Sequence, residues 1–189
     1  MPFRSLITTL CCASGMLAGS AWSATDSALP PIAVQVQKRG ELVVVDAEFT
    51  APVAPKLAWE VLTDFNHMSN FISNVKFSSI TSQQGSKLQV AQKGAAKRGP
   101  MSFSFNSVRE IELQPIQKIT SHVISGSMKK LDGVTTLRAD GNGSRIVYHA
   151  DSIPDTYVPP VIGPKFIENE TRNQFQEMRA EMVRRAGMQ

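Results

Sequence analysis

Apolar residues change their spacing partway through the stretch from Trp59 to Ile80. Ala58, Val61, Leu62 and Phe65 recur at the three- and four-residue steps that share one face of a helix, and Met68, Phe71 and Ile72 make a second small cluster. From Val75 through Phe77 towards Ile80, alternate side chains share a face, as in an extended segment. Two short helices running into a strand are expected here.

Upstream, Val34 and Val36 alternate, Lys38-Arg39-Gly40-Glu41 reads as a turn, and residues 42–49 return as a second extended arm, so 34–49 is a predicted hairpin. Pro52 and Pro55 end it, and Pro55 suits the first turn of the helix that carries Trp59. Downstream, extended runs at 87–93, 101–113, 118–125, 131–139 and 145–153 are separated by Gly94, Gly99-Pro100, Gln114-Pro115, Gly126 and Asp140-Gly141-Asn142-Gly143. The total is about seven antiparallel strands.

The last predicted element is a long helix between Gly163-Pro164 and Gly187. Ile167, Thr171, Phe175, Met178, Met182 and Ala186 form one stripe, and the opposite face is charged. Arg184 and Arg185 occupy the last turn, where cations suit the helix dipole, and Glu181 lies four residues before Arg185. This order predicts an α+β domain in which a curved antiparallel sheet receives the long helix across its concave face. A cavity remains wherever sheet and helix fail to touch.

A chain of 189 residues holds one such domain with a sizeable core. Residues 1–23 are set apart from it by Arg4, an apolar and small-residue run over 6–19, and Ala21-Trp22-Ser23, which fits a small-x-small cleavage pattern. They read as a cleaved secretory signal, the run being shorter than the ~20 residues that span a bilayer. Residues 24–32, ending in Pro30-Pro31, read as a flexible leader, and 33–189 as the folded domain. A periplasmic or secreted location is expected.

Both cysteines, Cys11 and Cys12, fall inside the signal, so the processed chain would have no thiol nucleophile, disulfide or thiolate metal site. Removal of Arg4 leaves 19 basic residues against 16 acidic ones. That mild excess, without a long basic run, supports neither a nucleic-acid footprint nor strong charge-driven membrane attraction. A monomer making at most transient membrane contact is expected.

The segment from Val45 through Ile80, containing APVAPKLAWEVLTDFNHMSNFISNVKFSSI, resembles the SRPBCC or START-like superfamily, in particular its polyketide cyclase/dehydrase and coenzyme Q-binding START-type branch. So do GSMKKLDGVTTL (126–137), the following RIVYHADSIP and the helix after Pro159-Pro160. The resemblance covers residues 34–186 and implies a helix-grip fold with a deep pocket for a lipid, quinone, sterol or polyketide. Some members are cyclases, others hydrolases, binders or carriers, and the fold alone does not choose between them.

Strict alternation from Phe103 and Phe105 puts Ser107, Arg109, Ile111 and Leu113 on one side of their strand. An inward Arg109 needs an acidic partner or an anionic ligand group. A β-bulge that turns it outward is the competing reading. The candidate ligand-binding set is Phe71, Phe103, Phe105, Arg109, Ile167, Gln174, Phe175 and Met178, with Glu170 a further polar group on the helix.

A cyclase or dehydratase would draw on Arg109, Tyr148 and His149. His149 and Asp151 share a strand face and form either an acid/base pair or a solvent-facing polar edge. No histidine spacing fits a metal site, no cofactor is expected, and no hydrolase nucleophile motif or glycine-rich phosphate loop is present. Asp64 is read as a helix cap, His67 as a surface residue, and Lys93, Lys97, Arg98, Lys129 and Lys130 as either a positive rim or a solvated face.

Overall fold

The computed structural model describes residues 29–98, 101–160 and 162–188. The proposed signal, with Arg4, Cys11 and Cys12, and residues 24–28 of the leader lie outside the described residues.

The elements are β1 (Ala33–Arg39), β2 (Leu42–Ala51), α1 (Pro55–Leu62), α2 (Met68–Phe71), β3 (Val75–Gln84), β4 (Lys87–Arg98), β5 (Met101–Gln114), β6 (Lys118–Gly126), β7 (Met128–Asp140), β8 (Gly143–Pro154) and α3 (Gly163–Ala186). One antiparallel sheet contains all eight strands in the order β1-β2-β8-β7-β6-β5-β4-β3. The expected seven becomes eight because the 34–49 hairpin supplies two strands. Pro55 opens α1 where its missing N–H costs nothing, and Gly40, Gly85 and Gly141 take the positive φ that their hairpin turns require.

The sheet interior follows the two-residue period. β4 buries Leu88, Val90, Gln92 and Ala96, β8 buries Ser144, Ile146, Ala150 and Ser152, and β2 buries Val43, Val45, Ala47 and Phe49. The helix α3 crosses this concave face in a helix-grip arrangement, packing on β1, β2 and α1. Phe175 seats it, 5.2 Å from the Phe49 ring and 5.4 Å from the Tyr148 ring.

Two arginines of α3 also hold the end of the leader. Arg172 donates to the Ile32 carbonyl at 3.3 Å and Arg179 to the Pro30 carbonyl at 2.6 Å, while the Ile32 side chain joins the core. Residues 30–32 are therefore fastened to the domain, unlike the flexible leader expected from their composition.

Candidate functional site

Phe175 divides α3 into two halves. Beyond it, Met178 and Met182 pack into the core with α1. Before it, Ile162, Phe166, Ile167, Glu170, Thr171 and Gln174 face a cavity of about 500 Å³ whose far wall is β4 and β5 and whose mouth is formed by residues 154–159. That volume lies within the range of small-molecule sites. The uniform stripe expected from the sequence thus has two jobs, set by which strands lie beneath each half.

Five of the eight candidate ligand-binding residues, Phe103, Phe105, Arg109, Ile167 and Gln174, meet in this cavity. Phe175 and Met178 belong to the core instead. Phe71 lines a separate outer cleft with Asp64, His67, Glu181, Arg184 and Arg185, its ring 5.6 Å beneath the Arg185 guanidinium. The helix period that grouped these residues could not show that Phe71 is on the far side of the α2–β3 corner.

Arg109 faces inward. A register irregularity does occur beside it, but the extra residue is Ile124 on β6, between Ser125 paired with Val108 and Val123 paired with Arg109. The bulge turns Ile124 to solvent and leaves the alternation of β5 intact. Arg109 Nη2 donates to Gln92 Oε1, and Gln92 Nε2 donates to Ser78 Oγ at 2.9 Å and contacts Met68 Sδ at 3.3 Å. Ser78 in turn donates to the Phe65 carbonyl. The guanidinium is therefore oriented by a buried chain that begins at the α1–α2 corner.

Burial pushes the Arg109 pKa down from its ordinary value, an effect the Tyr148 phenol partly opposes. Burial likewise pushes Tyr148 up, against the charge of Arg109. No carboxylate among the described residues forms an ion pair with Arg109. Its Nε is buried without a hydrogen-bond partner, as is Ser121 Oγ on the neighbouring strand.

A second polar group lies where β3 meets α3. Asn74 donates through Nδ2 to Glu170 Oε2 at 3.0 Å and accepts at Oδ1 from Gln174 Nε2 at 2.9 Å, and the Ser73 N–H donates to Glu177 Oε2 at 2.9 Å. Glu170, Gln174 and Glu177 share one side of α3 and fasten this edge of the cavity. The sequence singled out Glu170 and Gln174. Asn74, the partner of both, and Gln92, the partner of Arg109, carried no local signal beyond being polar.

The sheet separates His149 from Arg109 and Tyr148. His149 lies on the outer face with Nδ1 2.7 Å from Asp46 and Nε2 3.7 Å from Asp151, while Tyr148 points inward. The three-residue catalytic set does not assemble, because neighbouring residues of a strand face opposite ways. His122 lies on the surface, paired with Asp132 at 2.5 Å.

Asp64 makes no cap. It sits 2.6 Å from His67 Nδ1 and accepts from Arg185 Nη2 at 2.7 Å. Lys93 and Lys129 are exposed, Lys130 pairs with Asp132 at 3.2 Å, and the side chains of Lys97 and Arg98 lie outside the described residues. Among the described residues no histidine or carboxylate cluster fits a metal ion, and no helix is long and apolar enough to cross a membrane.

A family model described as polyketide cyclase / dehydrase and lipid transport matches residues 51–179. Solved structures with the same fold include a STAR-related lipid transfer protein from Xanthomonas axonopodis, at 13% identity and TM-score 0.68, covering 80% of this chain and 93% of that one. The Zhui aromatase/cyclase from Streptomyces sp. R1128 matches at 14% identity and TM-score 0.65, over 77% and 96%. A START superfamily protein from Mycobacterium smegmatis matches at 10% identity and TM-score 0.63, over 75% and 97%. No curated protein matches the sequence at a significant level.

Proposed function

The chain belongs to the polyketide cyclase/dehydrase and lipid transport family, and from that premise we propose that it is an exported, monomeric carrier of a hydrophobic or amphipathic small molecule. The observation that carries this reading is the cavity of about 500 Å³ between α3 and the β4–β5 wall, apolar at Phe103, Phe105, Phe166 and Ile167 and polar at a few fixed points. Export rests on the signal-like pattern of residues 1–23.

Transient contact with a bilayer belongs to the same reading. Tyr157, Ile162 and Phe103 are 80%, 51% and 45% exposed, and all three line the cavity. Aromatic and apolar side chains gathered at an opening suit a membrane interface, across which a carrier must load and release its cargo. A cyclase or dehydratase using the same cavity has less support, since His149 faces the opposite side of the sheet.

Native mass spectrometry and lipid extraction of the processed chain, purified from the compartment to which it is exported, test the proposal. A stoichiometric apolar or amphipathic molecule is expected. A ligand-free protein that also fails to bind any long-chain compound added to it overturns the carrier reading.

A further inference from the structure

Arg109 projects from β5 into the cavity, where Phe105 and Ser107 of the same strand and Gln92 of β4 also lie.

The polar groups there are under-used. Arg109 makes a single hydrogen bond among the described residues, to the neutral amide of Gln92, and its buried Nε has no partner. Glu170, the carboxylate among the cavity-lining residues, is engaged by Asn74 at 3.0 Å rather than by Arg109.

A neutral carbonyl could fill a hydrogen-bond vacancy at Nε. It would leave the charge of an enclosed guanidinium uncompensated, which is the larger cost. An oxyanion answers both needs, because guanidinium donors match its geometry and its charge offsets theirs.

We propose that Arg109 forms the head-group subsite of the cavity, and that the ligand is a single-chain amphiphile ending in a carboxylate or phosphate. The inference rests on the carrier reading and narrows it: the apolar tail lies along Phe105 and Ile167 towards the mouth, and the oxyanion is innermost. Gln92 is a positioning residue that holds Nη2 through a neutral oxygen, so the guanidinium charge stays available to the ligand.

Titration calorimetry of the full-length chain with hexadecanoic acid, hexadecyl phosphate and hexadecanol tests this. At least one of the two anionic compounds is expected to bind ten-fold or more tightly than the alcohol. The stronger of them identifies a free acid or a phospholipid product as the source. Arg109→Met is expected to remove the preference while keeping alcohol affinity within about three-fold. Gln92→Glu supplies an internal counter-ion and is expected to do the same without removing the arginine, so it serves if Arg109→Met fails to fold.

Equal affinity for acid, phosphate and alcohol in the wild type overturns the head-group proposal and leaves the carrier reading standing. So does a preference that survives both Arg109→Met and Gln92→Glu. Failure to bind all three overturns the head-group proposal, and the carrier reading falls with it when the purified protein is also ligand-free and binds no other long-chain compound.

Discussion

Arg185 donates to Asp64 across 2.7 Å and so ties the last turn of α3 to the junction between α1 and α2, 121 residues earlier. The same guanidinium donates through Nε to Glu181 at 2.7 Å and lies over the Phe71 ring. It therefore fastens the far end of the helix whose near half covers the cavity. Arg185→Ala is expected to cost about 1–2 kcal/mol, between the values for exposed and buried pairs. In thermal unfolding, His67→Ala should cost much less, since His67 is mostly exposed. Equal losses would mean that Asp64 is held mainly by His67.

The same cluster makes stability depend on acid. Glu181 is held at about 2, below its ordinary 4.5, first by the hydrogen bond from Arg184, against burial, and then by Arg185. For Asp64, burial alone would raise the pKa, but hydrogen bonds from Arg185 and His67 outweigh it and leave it lowered. The unfolded chain thus takes up these protons first as pH falls. Their contribution is complete above the ordinary carboxylate range and is lost as pH drops through the folded values. Urea unfolding between neutral pH and about pH 2 should show a loss of about 2 kcal/mol from Glu181, discounted from the full shift because Arg184 is largely exposed. Glu181→Gln should flatten that part of the profile.

Gly94 sets one wall of the cavity. A Cβ there would lie 2.1 Å from the Asn74 carbonyl oxygen and 2.4 Å from the Phe105 ring. That carbonyl accepts from the Ala95 N–H at 3.0 Å, so the backbone has little freedom to retreat. Gly94→Ala is expected to destabilise by about 2–3 kcal/mol in chemical denaturation. Adding Phe105→Leu should restore only part of this, because the carbonyl remains.

Ile116 has φ +59° in the turn between β5 and β6, a conformation that suits a β-branched side chain poorly. Its side chain is exposed, so replacing it gives up little burial. Ile116→Asn is expected to raise stability by about 1 kcal/mol, or a few degrees in melting temperature. Unchanged stability would show that the turn carries no such strain.

His149→Ala separates the outer face of the sheet from the cavity. Ligand affinity should remain within about two-fold and stability within about 1 kcal/mol, as for other exposed ion pairs. A large loss of binding would bring the outer face into the function.

Much of this architecture follows from period alone. The three-and-four spacing at Ala58, Val61, Leu62 and Phe65, its change to two at Val75, and the Gly163–Gly187 bracket are local properties of the backbone, so they located α1, β3 and α3. The alternation of β5 likewise turned Phe105 and Arg109 to the same side, which holds because the bulge is on β6. Side-chain direction within a strand is decided by its own backbone, and sequence can reach it.

What lies opposite a side chain is decided elsewhere. The stripe of α3 is continuous from Ile167 to Met182, yet only its first half meets the cavity, because the second half is seated on β2 and α1 through Phe175. Gln92 and Asn74 join the site through strand pairing and packing between segments far apart in the chain. By itself the sequence determined the elements and the shared side of Phe105 and Arg109 on β5, while the pairing with β6, which carries the bulge, decided that Arg109 turns inward. Only the tertiary structure decided that Arg109 meets no carboxylate there, because the neighbours of a buried charge come from distant strands and their identity is a property of the packed sheet.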